Sequence, residues 1–160
     1  PHAHPTDYAV QPGDLVTMDF GALLNGYHAD MTRTVAIGEP GEEKRRLYET
    51  VLTAQLEAIQ AMGPGKEFAA MDRVARRIID NAGYRGCFGH SLGHGVGVEI
   101  HESPYLAPRS QGVLKEGMVV SCEPGIYLEG QYGTRIEDLI VITADGCRDL
   151  NRTSKELICL

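Results

Sequence analysis

No apolar run in this chain approaches the roughly 18 residues of a membrane-spanning helix. No tandem repeat and no low-complexity tract appear. Cysteine is scarce: Cys87, Cys122, Cys147 and Cys159 are the whole complement. They form no CxxC pair and no framework spacing, which argues against a disulfide scaffold or a zinc knuckle. Reduced thiols in a cytoplasmic protein are the expectation that follows. Positive charge is in deficit, with 15 Lys and Arg against 22 Asp and Glu and a net charge of -7. Neither nucleic acid nor an anionic membrane is expected as a partner for such a chain. No signal-peptide pattern is legible, although a missing start would hide one. The first residue is Pro1, not Met, and the chain runs at once into PHAHP. An N-terminal portion is therefore expected to precede it.

What is present fits one globular unit. The 160 residues are 42% hydrophobic and 23% charged, and a chain of this size can bury about two-thirds of its unfolded surface. Residues 1–160 are read as a single domain. Residues 14–20 alternate apolar and polar, predicting a strand that stops at Gly21. Asn25-Gly26 is a strong hairpin signal, and residues 27–37 continue as a second strand. Helical spacing follows over 42–62, with Leu47, Val51, Leu52, Leu56 and Ile59 on one face. The GPG at 63–65 breaks it. A second helix is predicted over about 67–81, with Phe68, Met71, Val74, Ala75, Ile78 and Ile79 turned inward. A glycine-crowded stretch at 86–97 reads as a loop with room for a ligand. Strand-like runs return at 118–122, 132–142 and 147–150. This order of elements predicts an α+β domain with helices covering a curved antiparallel sheet.

Five side chains carry the chemistry: Asp19, Asp30, His94, Glu123 and Glu137. They lie in LVTMDFG, GYHADMTRT, HSLGHGVGVEIHE, VVSCEPGIY and YGTRIEDLIVI. Four carboxylates and one imidazole form a donor set for two hard or borderline divalent ions. A hairpin can point Asp19 and Asp30 at one spot, where two unpaired carboxylates repel and a cation between them removes the cost. Either Asp alone reads more readily as a turn or strand-end residue, but VTMDF sets a charge inside an apolar strand. His90, His94 and His101 fall within twelve residues, half of the 6 histidines in the chain. Glu137 and Asp138 read alternatively as an exposed strand edge, with Arg135 neutralising either as a surface salt bridge.

In order, DFG, DMTRT, GHSLGHGVG, HE, EPGIY and RIED resemble the catalytic domain of the pita-bread metallopeptidases, in the Xaa-Pro branch of aminopeptidase P and prolidase. The resemblance covers nearly the whole chain. It implies a pita-bread fold that is incomplete at the N-terminus, because the family domain normally begins well before PHAHP. One face of the sheet should then expose apolar area, and the activity of the segment alone stays open. Position by position, the resemblance makes Asp19 a ligand of one metal, Asp30 and Glu137 bridges, and His94 and Glu123 ligands of the second. Manganese is the expected metal, with cobalt or zinc as alternatives. A hydroxide shared by the two ions would attack the Xaa-Pro bond, with Glu123 as proton shuttle and His101 stabilising the oxyanion. His90 would shape the proline-side pocket and His2 would contact substrate. Arg135 and Tyr127 would orient carboxylates. His4 has no expected role. The expected partner is a peptide with proline second, and the expected assembly is a homodimer. Alternatives on the same fold are a methionine aminopeptidase, a creatinase-like hydrolase and a non-catalytic module that binds peptides or proteins.

Overall fold

The computed structural model describes residues 1–2 and 6–160. His4 lies outside the described residues. Strands β1 (Leu15–Leu24) and β2 (Tyr27–Ala36) form an antiparallel hairpin. Its turn is Asn25-Gly26, with φ 52° and 83°. Both angles are left-handed, and that twist matches the flanking strands. The first strand does not stop at Gly21 as predicted. Gly21 sits inside β1 because the backbone of Ala29 lies where a side chain would be.

Helices α1 (Glu42–Ala61) and α2 (Phe68–Ile79) follow. Glu42 and Glu43 in the first turn of α1 face the positive end of its dipole. A wider helical turn continues α2 to Tyr84, ended by Gly83 at φ 98°. The strands β3 (Gly93–Gly95), β4 (Glu102–Leu106), β5 (Val119–Cys122), β6 (Gly125–Leu128), β7 (Tyr132–Arg135), β8 (Asp138–Ile142) and β9 (Cys147–Asp149) complete the chain.

The sheet is antiparallel, as expected, but it is not continuous. A five-stranded sheet has the order β4-β3-β5-β8-β9, while β1-β2 and β6-β7 are separate hairpins. The run 132–142 breaks at Ile136 and Glu137, so that β7 and β8 join different sheets. The break lets the Glu137 N–H donate to the Thr32 carbonyl at 3.1 Å. That bond couples the first hairpin to the large sheet. The glycine-rich stretch is likewise not all loop, since Gly93–Gly95 is a buried strand between β4 and β5. A Cβ at Gly93 would collide with the Ser121 carbonyl, so glycine here gives closeness and not room.

Leu47, Val51, Ala54 and Ala58 of α1 join Met71, Ala75 and Ile79 of α2 in the core with Leu92, Leu106, Val120, Ile140 and Ile142. Each large side chain buried there contributes about 1.5–3 kcal/mol. The predicted face of α1 is rotated from the real one. Leu56 is 48% exposed, whereas Tyr48 and Gln55 are buried. Gln55 is drawn in by Asp138, to which its amide donates at 2.6 Å.

Asp138 also meets Arg33 at 2.6 Å and the ammonium of Lys155. Arg33 in turn donates to the carbonyls of Thr32, Glu137, Thr153 and Ser154. This buried cluster ties β2, β8, α1 and the last residues together. Those last residues also bond Ala36 on both sides, through Ile158 O and the Leu160 N–H, each at 2.9 Å. On β1, Met18, Phe20, Leu23 and Leu24 are exposed. No helix among the described residues is long and apolar enough to cross a membrane.

Breaking a buried ion pair strands its partner. Arg33→Met is expected to lower the free energy of unfolding by about 3 kcal/mol in urea titrations. A loss below about 0.5 kcal/mol would mean that Lys155 and Gln55 suffice for Asp138.

Candidate metal centre

The hairpin register sets the first two carboxylates. Asp19 faces Thr32 across the ladder, and Asp30 faces Gly21 two residues further on. Side chains alternate along a strand, so Asp19, Asp30 and Thr32 share one face. Neither Asp is a turn or strand-end residue, because both sit inside ten-residue strands. Glu137 arrives from the break between β7 and β8, and Thr32 Oγ1 donates to its Oε2 at 2.6 Å. It is buried, as is Asp138, so the exposed-edge alternative for this pair does not hold.

His94 comes from β3 and Glu123 from the residue after β5. The His94 main-chain N–H donates to Ser121 Oγ at 2.9 Å, and that hydroxyl donates to Glu123 Oε1 at 3.0 Å. The Nδ1 of His94 lies 3.1 Å from the Gly95 carbonyl. A proton placed there leaves Nε2 facing the acids, 3.1 Å from Glu123 and 3.8 Å from Asp30. Contrary to the expectation of a roomy histidine, His94 is buried.

The five groups converge. Ligand atoms of Asp19, Asp30 and Glu137 lie within 4.8 Å of one another, as do those of His94, Glu123 and Glu137. The two triads share Glu137, so together they have the form of two neighbouring cation sites. A third triad, Asp30, His94 and His101, meets the same limit. One cleft of about 220 Å³ is lined by all five together with His2, His90, His101, Tyr105 and Arg135.

Arg135 is 2% exposed, so it is no surface salt bridge. It pairs with Asp19 at 2.6 Å and donates to the Tyr127 hydroxyl at 3.0 Å. Tyr127 lies 2.9 Å from His90 Nε2. The ring of His101 meets His94 edge-on at 4.4 Å between centroids. Sequence reasoning passed over Thr32, Ser121 and Arg33. For Thr32 a signal existed, since DMTRT on a strand places it on the face of Asp30.

The electrostatics match the crowding. Burial, then the charges of Glu123 and Asp30, push the Glu137 carboxyl up to about 8. Burial and Asp19 raise Asp30. Burial alone would raise Glu123, but its hydrogen bond to His94 and the charge of that imidazole hold it below its ordinary value. Burial would lower His94, but Glu123 and the Gly95 carbonyl outweigh it and raise the imidazole. The donor set fits divalent ions of the hard or borderline kind.

Folded, metal-free Glu137 keeps its proton to about pH 8, whereas the unfolded chain releases it near 4.5. Its contribution to stability is thus lost as pH rises from about 4.5 to about 8. A divalent ion must displace that proton. Calorimetry of manganese binding in two buffers of different ionisation enthalpy should show about one proton released per chain at pH 7 and far less at pH 9. Equal release at both values would show that Glu137 is already ionised.

Residues 1–144 match metallopeptidase family M24. The chain is 48% identical over 158 residues to a Xaa-Pro dipeptidase of Pyrococcus furiosus, covering 99% of this chain and 45% of that relative. Among solved structures, it is similar to a Xaa-Pro dipeptidase from Bacillus anthracis, with TM-score 0.97, 46% identity and coverage of 100% of this chain and 45% of that one. It is also similar to an X-Pro aminopeptidase from Thermotoga maritima, with TM-score 0.96, 42% identity and coverage of 100% and 45%. The chain spans less than half the length of these relatives.

Proposed function

This chain belongs to metallopeptidase family M24 and has the pita-bread fold of its prolidases. From that premise we propose that it is the metal-holding part of an exopeptidase that cleaves between an N-terminal residue and a following proline. The observation that carries the proposal is the pair of triads sharing Glu137 inside one cleft. Residues 1–160 act as one unit of that catalytic domain. The names of the relatives support the Xaa-Pro branch over a methionine aminopeptidase, and a complete donor set weighs against a non-catalytic module.

Asp19, Asp30 and Glu137 would hold one ion, and His94 and Glu123 would complete the site for a second, with Asp30 and Glu137 reaching both. Bound there, divalent ions supply a water that ionises near neutral pH and polarise the scissile carbonyl. The protein's own groups do the rest. Glu123, kept ionised by His94, accepts the proton of the attacking water and returns it to the departing proline nitrogen. His101 donates to the oxygen on which negative charge develops. His90, His2 and the cleft wall seat the proline side. Arg135, held by Tyr127, fixes the Asp19 carboxylate so that its free oxygen faces the site.

Proline explains the specialisation. Its imide nitrogen carries no N–H, so a site that grips no such group accepts a bond that others refuse. Manganese suits this carboxylate-rich set, with cobalt or zinc as substitutes. The same reading includes a homodimer and a cytoplasmic location, the latter supported by four free cysteines.

The test uses the full-length protein that carries this chain, loaded with manganese. Ala-Pro peptides are expected to be hydrolysed and Met-Ala peptides spared, with activity lost on chelation and restored by metal. Hydrolysis of the Met-Ala peptide alone would overturn the assignment. Glu123→Gln is expected to lower kcat by about 10²–10⁴-fold, and His101→Asn by about 10²–10³-fold, both at nearly unchanged KM.

A further inference from the structure

The loop that enters the cleft with His90 is fastened from behind by one ion pair on α2. Asp72 and Arg76 lie one helical turn apart, and both guanidinium nitrogens that meet Asp72 do so at 2.8 Å. Asp72 is fully buried. An i, i+4 pair on a helix ordinarily steadies only the helix itself. This pair reaches elsewhere. Arg76 Nη1 donates to the Phe88 carbonyl at 2.6 Å, and Nη2 donates to the His90 carbonyl at 2.8 Å. The Leu92 N–H donates to Asp72 Oδ1 at 3.1 Å. Three main-chain groups within five residues are thus held by a single salt bridge.

A side-chain stack repeats the same link. The guanidinium of Arg76 lies 4.3 Å over the Phe88 ring. The edge of Phe88 meets the His90 ring, with centroids 4.9 Å apart and planes at 87°. On its far side His90 reaches the Tyr127 hydroxyl. The imidazole is therefore braced between Phe88 and Tyr127, and Arg76 sets both the backbone and the aromatic side of that brace. The five candidate ligands receive no hydrogen bond from Arg76 or Asp72.

We propose that Arg76, paired with Asp72, is a positioning residue that sets His90 for binding the proline side of the substrate. The proposal rests on the Xaa-Pro reading for its substrate, but not for the loop it fixes. Lysine keeps the charge of Arg76 but cannot make its forked contacts. Loss of these charge-assisted bonds should then show in substrate binding and in the loop, not in the metal site.

The experiment compares Arg76→Lys and Arg76→Gln with the wild-type full-length protein. Both variants are expected to raise KM for Ala-Pro about tenfold, with kcat within about threefold and metal content unchanged. Amide exchange over 88–92, followed by mass spectrometry, should quicken about tenfold in both variants. The thermal midpoint holds within a few degrees in Arg76→Lys, which keeps the charge, and falls further in Arg76→Gln, which strands the buried Asp72. Wild-type KM in Arg76→Lys would show that charge alone suffices and overturn the proposal. So would a joint fall of kcat, metal content and thermal midpoint, the sign of a purely structural pair. If the wild-type protein cleaves no Xaa-Pro bond, the functional reading fails instead. The exchange data then decide alone, and unchanged exchange over 88–92 overturns the positioning role.

Discussion

Mutual repulsion among Asp19, Asp30, Glu123 and Glu137 is the constraint around which this fold is built. Carboxylates brought this close cannot all stay ionised without a compensating charge. Three of the four have a partial remedy. Arg135 meets Asp19 and His94 meets Glu123. Thr32 donates to Glu137. Burial first, and then the repulsion that these leave over, raise the Glu137 and Asp30 carboxyls. A pair of cations would offset the repulsion that remains.

Holding such a site requires stiffness behind it. The first hairpin carries two of the acids, yet it shares no continuous sheet with the others. The join is made by Thr32, Thr34 and Arg33. The Thr34 hydroxyl donates to the Arg135 carbonyl at 3.0 Å, and Arg33 spans β2, β8 and the chain end. Asp138, next to Glu137, has no place in the cleft; it anchors the reverse side through Arg33, Lys155 and Gln55. Glu137, in the break before β8, lines the cleft, whereas Asp138, the first residue of β8, serves anchorage. The Asp72–Arg76 pair plays the matching part for the histidine loop.

The apolar strip on β1 has a different meaning. Phe20, Leu23 and Leu24 are exposed on the strand that carries Asp19. A patch of this kind calls for a cover. The relatives are more than twice as long as this chain.

Much was legible in the amino-acid sequence because it depended on local rules. The Asn25-Gly26 turn fixes the hairpin register, and that register alone puts Asp19 and Asp30 on one face. The end of the first helix followed from GPG. The four acids and the histidine stood out because charges interrupt apolar strands and because their motifs come in family order. The side of α1 that is buried was not legible, since Gln55 is pulled inward by an acid 83 residues away. Nor was the partner of Arg135, a residue that local pattern placed at the surface beside Glu137 but that burial joins to Asp19 across 116 residues. Sequence by itself determined which groups carry charge and which strands turn back on themselves, because those depend on near neighbours. Only the tertiary structure decided which charges meet, because burial removes water and leaves each ion the partner that the packed chain happens to bring within reach.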